Sequence, residues 1–225
     1  MKSNRLSPVE KIGYGLGDFG SNVVFQSLLY LLPVFYTDVF GLAPAVMGWM
    51  FLAVRLLDTV TDPIMGVIAE KTSTRWGKFR PYLLWFCIPF AAIFVLTYYT
   101  PEFESDAPLF YFLGNEAWPV TPKLFYAYST YSILMLLYTV VNIPYCALGG
   151  VITADSQERV SANSYRFFIA TSAGVLITFL GLPLIEYLGE GNKQVGYPRA
   201  MGLFAVLAIL AFVACFLHCS GMSNG

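Results

Sequence analysis

The chain has 225 residues, of which 57% are hydrophobic, 17% aromatic and only 12% charged, and its formal net charge is −1. Soluble domains carry about 25% charged residues, so this chain has too little polar surface for a water-soluble globule. The composition also argues against a disordered protein, and the absence of a basic excess argues against a nucleic-acid binder. Because each membrane span needs about 20 residues, the length accommodates about six spans. We therefore predict an all-α, polytopic membrane protein.

Hydrophobic runs occur in chain order at residues 12–36, 45–69, 82–100, 124–150, 166–188 and 199–219. Each is long enough to cross about 30 Å of hydrocarbon as a helix. Short polar or Gly- and Pro-containing stretches separate them, which predicts six transmembrane helices in one bundle over residues 1–225. Cys215, His218 and Cys219 have helical spacing, but they close an apolar helix without a fourth ligand, so we predict no structural metal site there.

The distribution of Lys and Arg predicts the orientation of this bundle. With six spans, one side holds nine basic residues: Lys2, Arg5, Lys11, Lys71, Arg75, Lys78, Arg80, Arg159 and Arg166. The other side holds three, namely Lys123, Lys193 and Arg199. The positive-inside rule then places both termini in the cytoplasm. The loop 101–123, with Glu102, Glu104, Asp106 and Glu116, faces outward.

The first predicted helix carries three polar residues at a four-residue spacing. Asp18, Asn22 and Gln26 therefore share one helical face. Asp18 lies near the start of the run, so a solvated or capping role is as consistent with its position as a functional one.

The second predicted helix contains three ionisable residues in its middle. Arg55, Asp58 and Asp62 fall on one narrow stripe of the helix. Each costs about 2.5–3.5 kcal/mol to insert on translocon scales, so stability alone does not account for them. One interpretation is a self-neutralising Arg–Asp pair that locks two helices, but this leaves the second carboxylate unexplained. The stripe lacks one positive charge, and we predict that Na⁺, Li⁺ or a proton supplies it.

Neutral oxygens would complete such a cation site. Thr61 lies between the two carboxylates, and a facing helix offers further hydroxyl groups. Pro63 directly follows Asp62 and removes one helix N–H, which frees a backbone carbonyl nearby. The hypothesis is an intramembrane site for a monovalent coupling cation.

The fourth predicted helix combines aromatic rings with hydroxyl and amide groups, at Tyr131, Tyr138, Thr139, Asn142 and Tyr145. Such a set suits the ring and hydroxyls of a sugar. Interhelical hydrogen bonding by the Asn and Thr is an equally good interpretation from composition. Arg166 opens the fifth helix, either as a positive-inside anchor or as a side chain that reaches inward.

Several segments together resemble the glycoside–pentoside–hexuronide:cation symporter family of the major facilitator superfamily. The matching stretches are YGLGDFG at 14–20, YTDVFGL at 36–42, RLLDTVTDPIMG at 55–66, RWGKFRPY at 75–82, NIPYCAL at 142–148 and YRFF at 165–168. They run in order over residues 11–215. The combination of the two spaced aspartates with the Arg-Trp-Gly-Lys loop is specific, whereas any single segment is weak.

The resemblance implies roles for individual residues. It makes Asp58 and Asp62 the cation-binding carboxylates, with Thr139 as an additional oxygen donor and Arg55 as the adjacent arginine. It implies that Arg166 and Tyr138 lie at the sugar pocket. It also implies that the loop with Arg75, Gly77, Lys78 and Arg80 is the cytoplasmic motif that holds one conformation closed and releases it during transport.

Some positions depart from the family's melibiose-transporting member. That member presents acidic residues where this chain has Asn22 and Asn142, and a pocket tryptophan where it has Cys146. Because an amide both donates and accepts without net charge, a melibiose-like galactoside is disfavoured and an acidic sugar such as a uronide is less repelled. Thr61 replaces an Asn, which leaves sodium or proton coupling open.

The family has twelve helices in two similar halves, with the substrate between them. This chain corresponds to the N-terminal half, so we expect transport to require a second six-helix half or a second copy. We predict cation-coupled symport of a sugar, glycoside or hexuronide across the cytoplasmic membrane, without enzymatic chemistry or a cofactor. The alternatives are a cation-coupled lipid or lysolipid carrier, a non-transporting membrane remnant, and an intramembrane enzyme that uses the paired aspartates as acid and base.

Overall fold

A computed structural model describes residues 6–103, 107–111, 119–153 and 155–219 of the chain. Its helices, with one short π-helical segment at Phe35–Val39, are α1 (Pro8–Tyr30), α2 (Leu32–Val34), α3 (Pro44–Lys71), α4 (Arg80–Thr97), α5 (Pro122–Val151), α6 (Ser156–Gly189) and α7 (Lys193–His218). Two short antiparallel strands, β1 (Phe110–Tyr111) and β2 (Pro119–Val120), lie in the connection between α4 and α5. The predicted all-α class is confirmed.

Some residues named above lie outside the described ranges. They are two basic residues and three acidic residues used to predict the orientation: Lys2, Arg5, Glu104, Asp106 and Glu116.

Four of the described helices are long and apolar enough to cross a membrane: α4, α5, α6 and α7. A fifth span results if α1 and the bent segment that follows it are counted together. The helix outside this set is α3, which has 28 residues and carries the charged stripe. The number of six spans therefore stays a prediction, while the described residues form a bundle of helices of which four or five are long and apolar enough to cross a membrane.

The first span differs from the continuous helix predicted over residues 12–36. Ser7 begins α1 with a capping box, in which its hydroxyl accepts from the Glu10 N–H at 3.2 Å and the Glu10 carboxylate accepts from the Ser7 N–H at 2.8 Å. The helix ends at Tyr30 and continues after a 41° bend. Pro33 lies at this break, and its missing N–H accounts for the interruption of the helical hydrogen bonds.

The helices form two groups that meet at the centre of the molecule. One group has α1 packed on α6 and α7, and the other has α5 packed on α3 and α4. Contacts of α4 with α7 and of α1 with α5 join the groups. The flanks are formed by α3 and α6, which expose large apolar side chains such as Trp49 and Phe168.

One end of the bundle gathers the starts of α1, α4 and α6 and the end of α7. The Lys11 ammonium lies 2.8 Å from the Glu158 carboxylate, which joins the first turns of α1 and α6. The guanidinium of Arg80 donates to the backbone carbonyl of Phe216 and lies 4.7 Å from the centre of its ring. This is the end for which the sequence predicts a cytoplasmic location.

Candidate functional site

The charged stripe of α3 faces α5 at its aspartates. Asp58 is buried, and one of its carboxylate oxygens lies 3.7 Å from a guanidinium nitrogen of Arg55. The Arg55 side chain is 60% exposed, so this ion pair is strongly screened on one side. Both partners belong to α3, and the pair therefore does not lock two helices together, contrary to the structural interpretation considered from the sequence.

The contact between helices comes from the second aspartate. The hydroxyl of Thr139 on α5 donates to a carboxylate oxygen of Asp62 at 2.8 Å. Thr139 is buried, which keeps this hydrogen bond away from water. The hydroxyl of Thr61, by contrast, points back along its own helix and lies 3.5 Å from the Asp58 backbone carbonyl.

One buried oxygen at this stripe has no protein partner. The Oδ1 atom of Asp58 is inaccessible and accepts no hydrogen bond within the described residues. A buried carboxylate oxygen without a donor is costly unless a proton or a cation completes it. The same carboxylate also interacts electrostatically with Asp62, and within the described residues Arg55 is the cation with which Asp58 forms an ion pair. The donor set is therefore compatible with a small hard cation or a shared proton.

A second polar cluster joins α1 to α6. The Nε atom of Arg166 lies 3.3 Å from the Asp18 carboxylate, and its Nη1 atom donates to the Tyr14 hydroxyl at 3.2 Å. The Asn22 amide donates to the other Asp18 carboxylate oxygen at 3.1 Å and to the Asp18 backbone carbonyl at 2.9 Å. Asp18 is thus neither a cap nor a solvated residue, and Arg166 reaches inward.

Tyr14 connects this cluster to α5. Its ring stacks on that of Tyr145 with centroids 5.1 Å apart, and the Tyr145 hydroxyl donates to the Tyr14 backbone carbonyl at 2.7 Å. The Tyr14 hydroxyl also occupies the space in which a side chain at Gly149 would lie. Three helices therefore fix the phenol that Arg166 contacts.

A groove of about 450 Å³ lies between α1 and α6 next to this cluster. Its lining combines polar residues with aromatic and aliphatic ones: Asp18, Asn22, Gln26, Tyr30, Phe167, Ala170, Thr171, Gly174, Val175, Thr178 and Phe179. The side-chain oxygen of Gln26 is buried and accepts no hydrogen bond within the described residues. Two of the predicted substrate residues, Asn22 and Gln26, thus belong to one concave surface.

The predicted substrate residues of α5 lie beside the groove instead of lining it. The thiol of Cys146 is 4.0 Å from the Asn142 side-chain oxygen, four residues earlier on the same helix. The Tyr138 ring packs against Phe25 of α1 at 5.7 Å, and Tyr138 directly precedes Thr139, whose hydroxyl donates to Asp62. Tyr138 therefore lies between the two polar clusters.

The loop between α3 and α4 is held by hydrogen bonds around Gly77. The Thr74 hydroxyl donates to the Gly77 carbonyl at 2.7 Å, and the Gly77 N–H donates to the Thr74 carbonyl at 3.0 Å. Gly77 has a φ of 93°, which side-chain-bearing residues rarely adopt. Arg75 lies over the Trp76 ring at 4.5 Å, and that ring meets Phe216 edge-on at 5.8 Å. The loop thus contacts the end of α7, while Lys78 is exposed.

The sequence analysis missed Tyr14 and left the role of Asp18 open. A signal was present, because Tyr14, Asp18, Asn22 and Gln26 continue the same four-residue spacing along α1. Within the described residues no group of three His, Cys, Asp or Glu side chains is arranged to hold a metal. Cys215 and Cys219 lie with their sulfurs 3.9 Å apart, and the His218 ring bonds to the Ala214 carbonyl.

Comparison with known proteins gives a consistent set of relatives. A family model described as MFS/sugar transport protein matches residues 13–220. In Escherichia coli (strain K12), the chain is 45% identical over 212 residues to a protein provisionally named a glycoside/cation symporter, YagG, and 44% identical over 216 residues to the inner membrane symporter YicJ. It is 37% identical over 205 residues to the isoprimeverose transporter of Lactiplantibacillus pentosus.

These matches cover 94%, 96% and 91% of this chain, respectively. They cover only 43%, 44% and 39% of the three relatives. The chain therefore spans less than half the length of the curated relatives it matches.

Proposed function

Because this chain belongs to the glycoside–pentoside–hexuronide:cation symporters of the major facilitator superfamily, we propose that it forms the N-terminal six-helix part of a cation-coupled sugar or glycoside symporter. It is an integral membrane protein; our proposal places it in the cytoplasmic membrane with both termini in the cytoplasm. A second six-helix half or a second copy would supply the opposite wall of the substrate cavity.

The observation that carries the proposal is the pairing of a hydrogen-bonded and an unsatisfied carboxylate on one buried stripe. Thr139 donates to Asp62 at 2.8 Å, and a buried oxygen of Asp58 accepts nothing from the described residues. A coupling cation at this place would be held by both carboxylates, with Na⁺, Li⁺ and H⁺ as the candidates. Arg55, which is exposed, would limit the residual negative charge.

The proposed sugar site is the groove between α1 and α6, with Asn22 and Gln26 on its wall and Arg166 beside it. Tyr138 packs on Phe25 of α1 and directly precedes Thr139, which bonds to Asp62, so it is the residue proposed to couple the two sites. Two ligands that stabilise the same conformation of a shared residue bind with positive coupling. The loaded bundle would then rock against the other half, with Arg75, Gly77, Lys78 and Arg80 at the contact that opens and closes.

No bond-making chemistry is proposed for the two aspartates. They share α3, whereas an acid–base pair acting on one bond would be expected to approach it from two different elements. The alternative worth testing is a lysolipid carrier, since Phe167 and Phe179 at the rim of the groove are 61% and 72% exposed. An amphiphile would place its acyl chain along these rings and its polar group at the cluster.

The proposal is tested by counterflow of radiolabelled glycosides and of a radiolabelled lysolipid in membrane vesicles that contain this chain with or without the C-terminal half of YicJ. Each substrate is measured with Na⁺, with Li⁺ and with a pH gradient alone. Binding of ²²Na⁺ to the chain in nanodiscs gives a second readout that does not require a complete transport path.

The informative variant combines Asp58→Asn with Asp62→Asn, and we expect it to abolish cation binding and cation-stimulated counterflow. Glu70→Gln is the matched control, because Glu70 is an exposed carboxylate on the same helix. Cation stimulation that survives the double substitution unchanged would rule out the proposed coupling site. Counterflow of the lysolipid but of none of the glycosides would show that the substrate is a lysolipid and not a sugar.

A further inference from the structure

We propose that Asp18 determines the substrate class of this chain by neutralising Arg166, so that the groove between α1 and α6 accepts uncharged glycosides and rejects uronates. The inference rests on the proposed function and concerns only the selectivity of its sugar site. It assigns to Asp18 a role as a specificity-determining residue, which the sequence alone left undecided.

The first argument is that the guanidinium already has two partners, an ion pair with Asp18 and a hydrogen bond to Tyr14. Asp18 faces its Nε atom at 3.3 Å and Tyr14 accepts from its Nη1 atom at 3.2 Å. The side chains of Arg166 and Asp18 are only 20% and 16% exposed, so water screens this pair much less than a surface pair. Recognition of a sugar carboxylate would need the charge of this guanidinium, and the Asp18 ion pair already compensates that charge, although Nε donates no hydrogen bond within the described residues.

The Asp18 carboxylate is itself held in place. Its second oxygen accepts from the Asn22 amide at 3.1 Å, and Asn22 also bonds to the Asp18 backbone carbonyl. An incoming carboxylate would have to displace a partner that is fixed by its own helix. The ion pair is therefore a built-in feature of the α1–α6 contact.

The second argument is the charge of the groove as a whole. Asp18 is the one charged residue among those that line it, and with Arg166 beside it the local charge sums to zero. A uronate entering this groove would lose hydration without meeting an uncompensated cation, and it would approach the Asp18 charge. Net repulsion is the expected result.

An uncharged glycoside meets a different surface. Its hydroxyls are offered the buried, unpartnered oxygen of Gln26 as an acceptor, together with the neutral polar groups of Thr171 and Thr178. The rings of Phe167 and Tyr30 provide apolar walls for the face of a sugar. Each of these contacts is available without breaking the ion pair.

From the sequence, acidic sugars are expected to be repelled less than by the melibiose-transporting member, because Asn22 and Asn142 replace two carboxylates. The structure shows that Asp18 returns one negative charge to the same face of α1, at the residue where a uronate would need a cation. Specificity of this kind is a difference between two affinities, and here it would be set by a repulsive element.

The test uses sugar pairs that differ at one carbon: p-nitrophenyl β-D-glucoside against p-nitrophenyl β-D-glucuronide, and the corresponding galactoside against the galacturonide. Binding to the chain in nanodiscs is measured by equilibrium dialysis at constant ionic strength. The quantity compared is the ratio of the two dissociation constants within a pair. The wild-type chain is expected to prefer the neutral sugar by about tenfold or more, which corresponds to about 1.4 kcal/mol.

Asp18→Asn keeps the shape and removes the charge, and it is expected to shift this ratio toward the uronide by about tenfold or more. The double variant Asp18→Asn/Arg166→Gln is neutral again and is expected to return the ratio to the neutral sugar. Asp38→Asn is the matched control, because Asp38 is an exposed carboxylate beyond the bend of the same span. It should leave the ratio at the wild-type value.

The outcomes separate the two proposals. Sugar binding with a ratio that Asp18→Asn does not change overturns the role of Asp18 and leaves the sugar site in place. A wild-type preference for the uronide also overturns it. Absence of binding for every sugar, in a wild-type chain that is folded by circular dichroism and supplied with the C-terminal half of YicJ, overturns the sugar site as well. If Asp18→Asn fails to fold, Asp18→Glu, which keeps the charge, must retain the wild-type ratio, while Arg166→Gln alone must weaken uronide binding further.

Discussion

The hydroxyl of Thr139 is the group through which α5 contacts the aspartate stripe of α3. Its hydrogen bond to Asp62, at 2.8 Å, lies in a buried position where a lost partner is not replaced by water. The same hydroxyl has a free lone pair that a cation could use when it binds at the carboxylates. Thr139 thus has a role both in packing and in the proposed cation site.

Replacing Thr139 with valine keeps the volume and removes the oxygen, and we expect a decrease of about tenfold in cation affinity, since a hydrogen bond to a charged group is worth about 1.5–3 kcal/mol. Thr139→Ser should restore most of this affinity. Thr130→Val is the control on the same helix, because the Thr130 hydroxyl donates to the backbone carbonyls of Tyr126 and Ala127 and contacts neither aspartate. Binding of ²²Na⁺ in nanodiscs is the measurement, and equal losses in both valine variants would contradict the assignment.

Individual roles were predictable from the sequence where spacing alone sets the geometry. Asp58 and Asp62 on one stripe, and Asn22 with Gln26 on one face, follow from the 3.6-residue period of a helix. The partners of Arg166 were not predictable, because Asp18 and Tyr14 are about 150 positions away in the chain and meet it only through the packing of α1 on α6. The distance of Asn142 and Cys146 from the groove lining depends on the same packing.

Among the helices, α1 is the one with the closest neighbours on several sides. It packs against α6 and α7 along most of its length and touches α5 at Tyr145. Small residues make this possible, as in other membrane bundles in which close approach replaces the hydrophobic effect as the source of stability. Gly17 is the position at which α1 closely approaches both α5 and α7.

We expect Gly17→Ala to destabilise the bundle by about 1–3 kcal/mol, the usual cost of overpacking, despite the better helix propensity of alanine. A Cβ atom there would lie 2.5 Å from the Tyr145 ring and 2.8 Å from the Cys215 sulfur, and both neighbours are fully buried. Gly202→Ala is the control, since nothing lies within 4 Å of the corresponding position on α7. Thermal unfolding in detergent, followed by circular dichroism, should show a lower midpoint for the first variant only.

The residues at which the helices begin and end were less predictable from the sequence than the presence of the helices. The sequence shows apolar runs clearly, but Pro33 breaks the first one and the π-helical segment Phe35–Val39 follows. The helix α3, by contrast, continues without a break past the charged stripe and ends at Lys71. Local hydrogen bonding, such as the Thr74–Gly77 turn, decides where each helix ends.

For the molecule as a whole, the Lys and Arg residues that the structure describes are more numerous at the end that holds the start of α1. Lys11, Arg80 and His218 lie there, joined by contacts among α1, α4, α6 and α7. At the opposite end, Arg199 donates to the Leu188 carbonyl and Lys193 begins α7. This asymmetry supports the proposed orientation by the positive-inside rule.

We expect a cysteine introduced at Lys193 to react with a membrane-impermeant maleimide on intact cells, and one at Lys78 to react only after the membrane is opened. Both positions are exposed, so they differ in side and not in accessibility. The background carries Cys146→Ser, because the other three cysteines are buried and Cys146 is exposed. The reverse labelling pattern would place both termini outside.

A further expectation at this level is reciprocity between the two ligands. Tyr138 packs on α1 and directly precedes the Thr139 that bonds to Asp62. If it couples the two sites, a saturating neutral glycoside should increase cation affinity by the same factor by which the cation increases glycoside affinity. Coupling of this type is commonly about 5–150-fold. Tyr138→Phe should reduce this coupling factor, measured in paired titrations of cation and glycoside. Tyr128→Phe on the same helix is the control and should leave the factor unchanged. Equal factors in the two variants would show that Tyr138 does not couple the two sites.

The phenol of Tyr14 fills the place of a missing side chain at Gly149, although Gly149 is on another helix and contacts neither proposed ligand. Any larger residue at 149 would push the Tyr14 hydroxyl away from the Arg166 guanidinium. A substitution near the end of α5 would therefore alter the position of Arg166 beside the sugar groove. In a set of related sequences, the two positions should therefore vary together: chains that keep tyrosine at 14 should keep glycine at 149, and chains with a shorter residue at 14 should tolerate alanine or serine there.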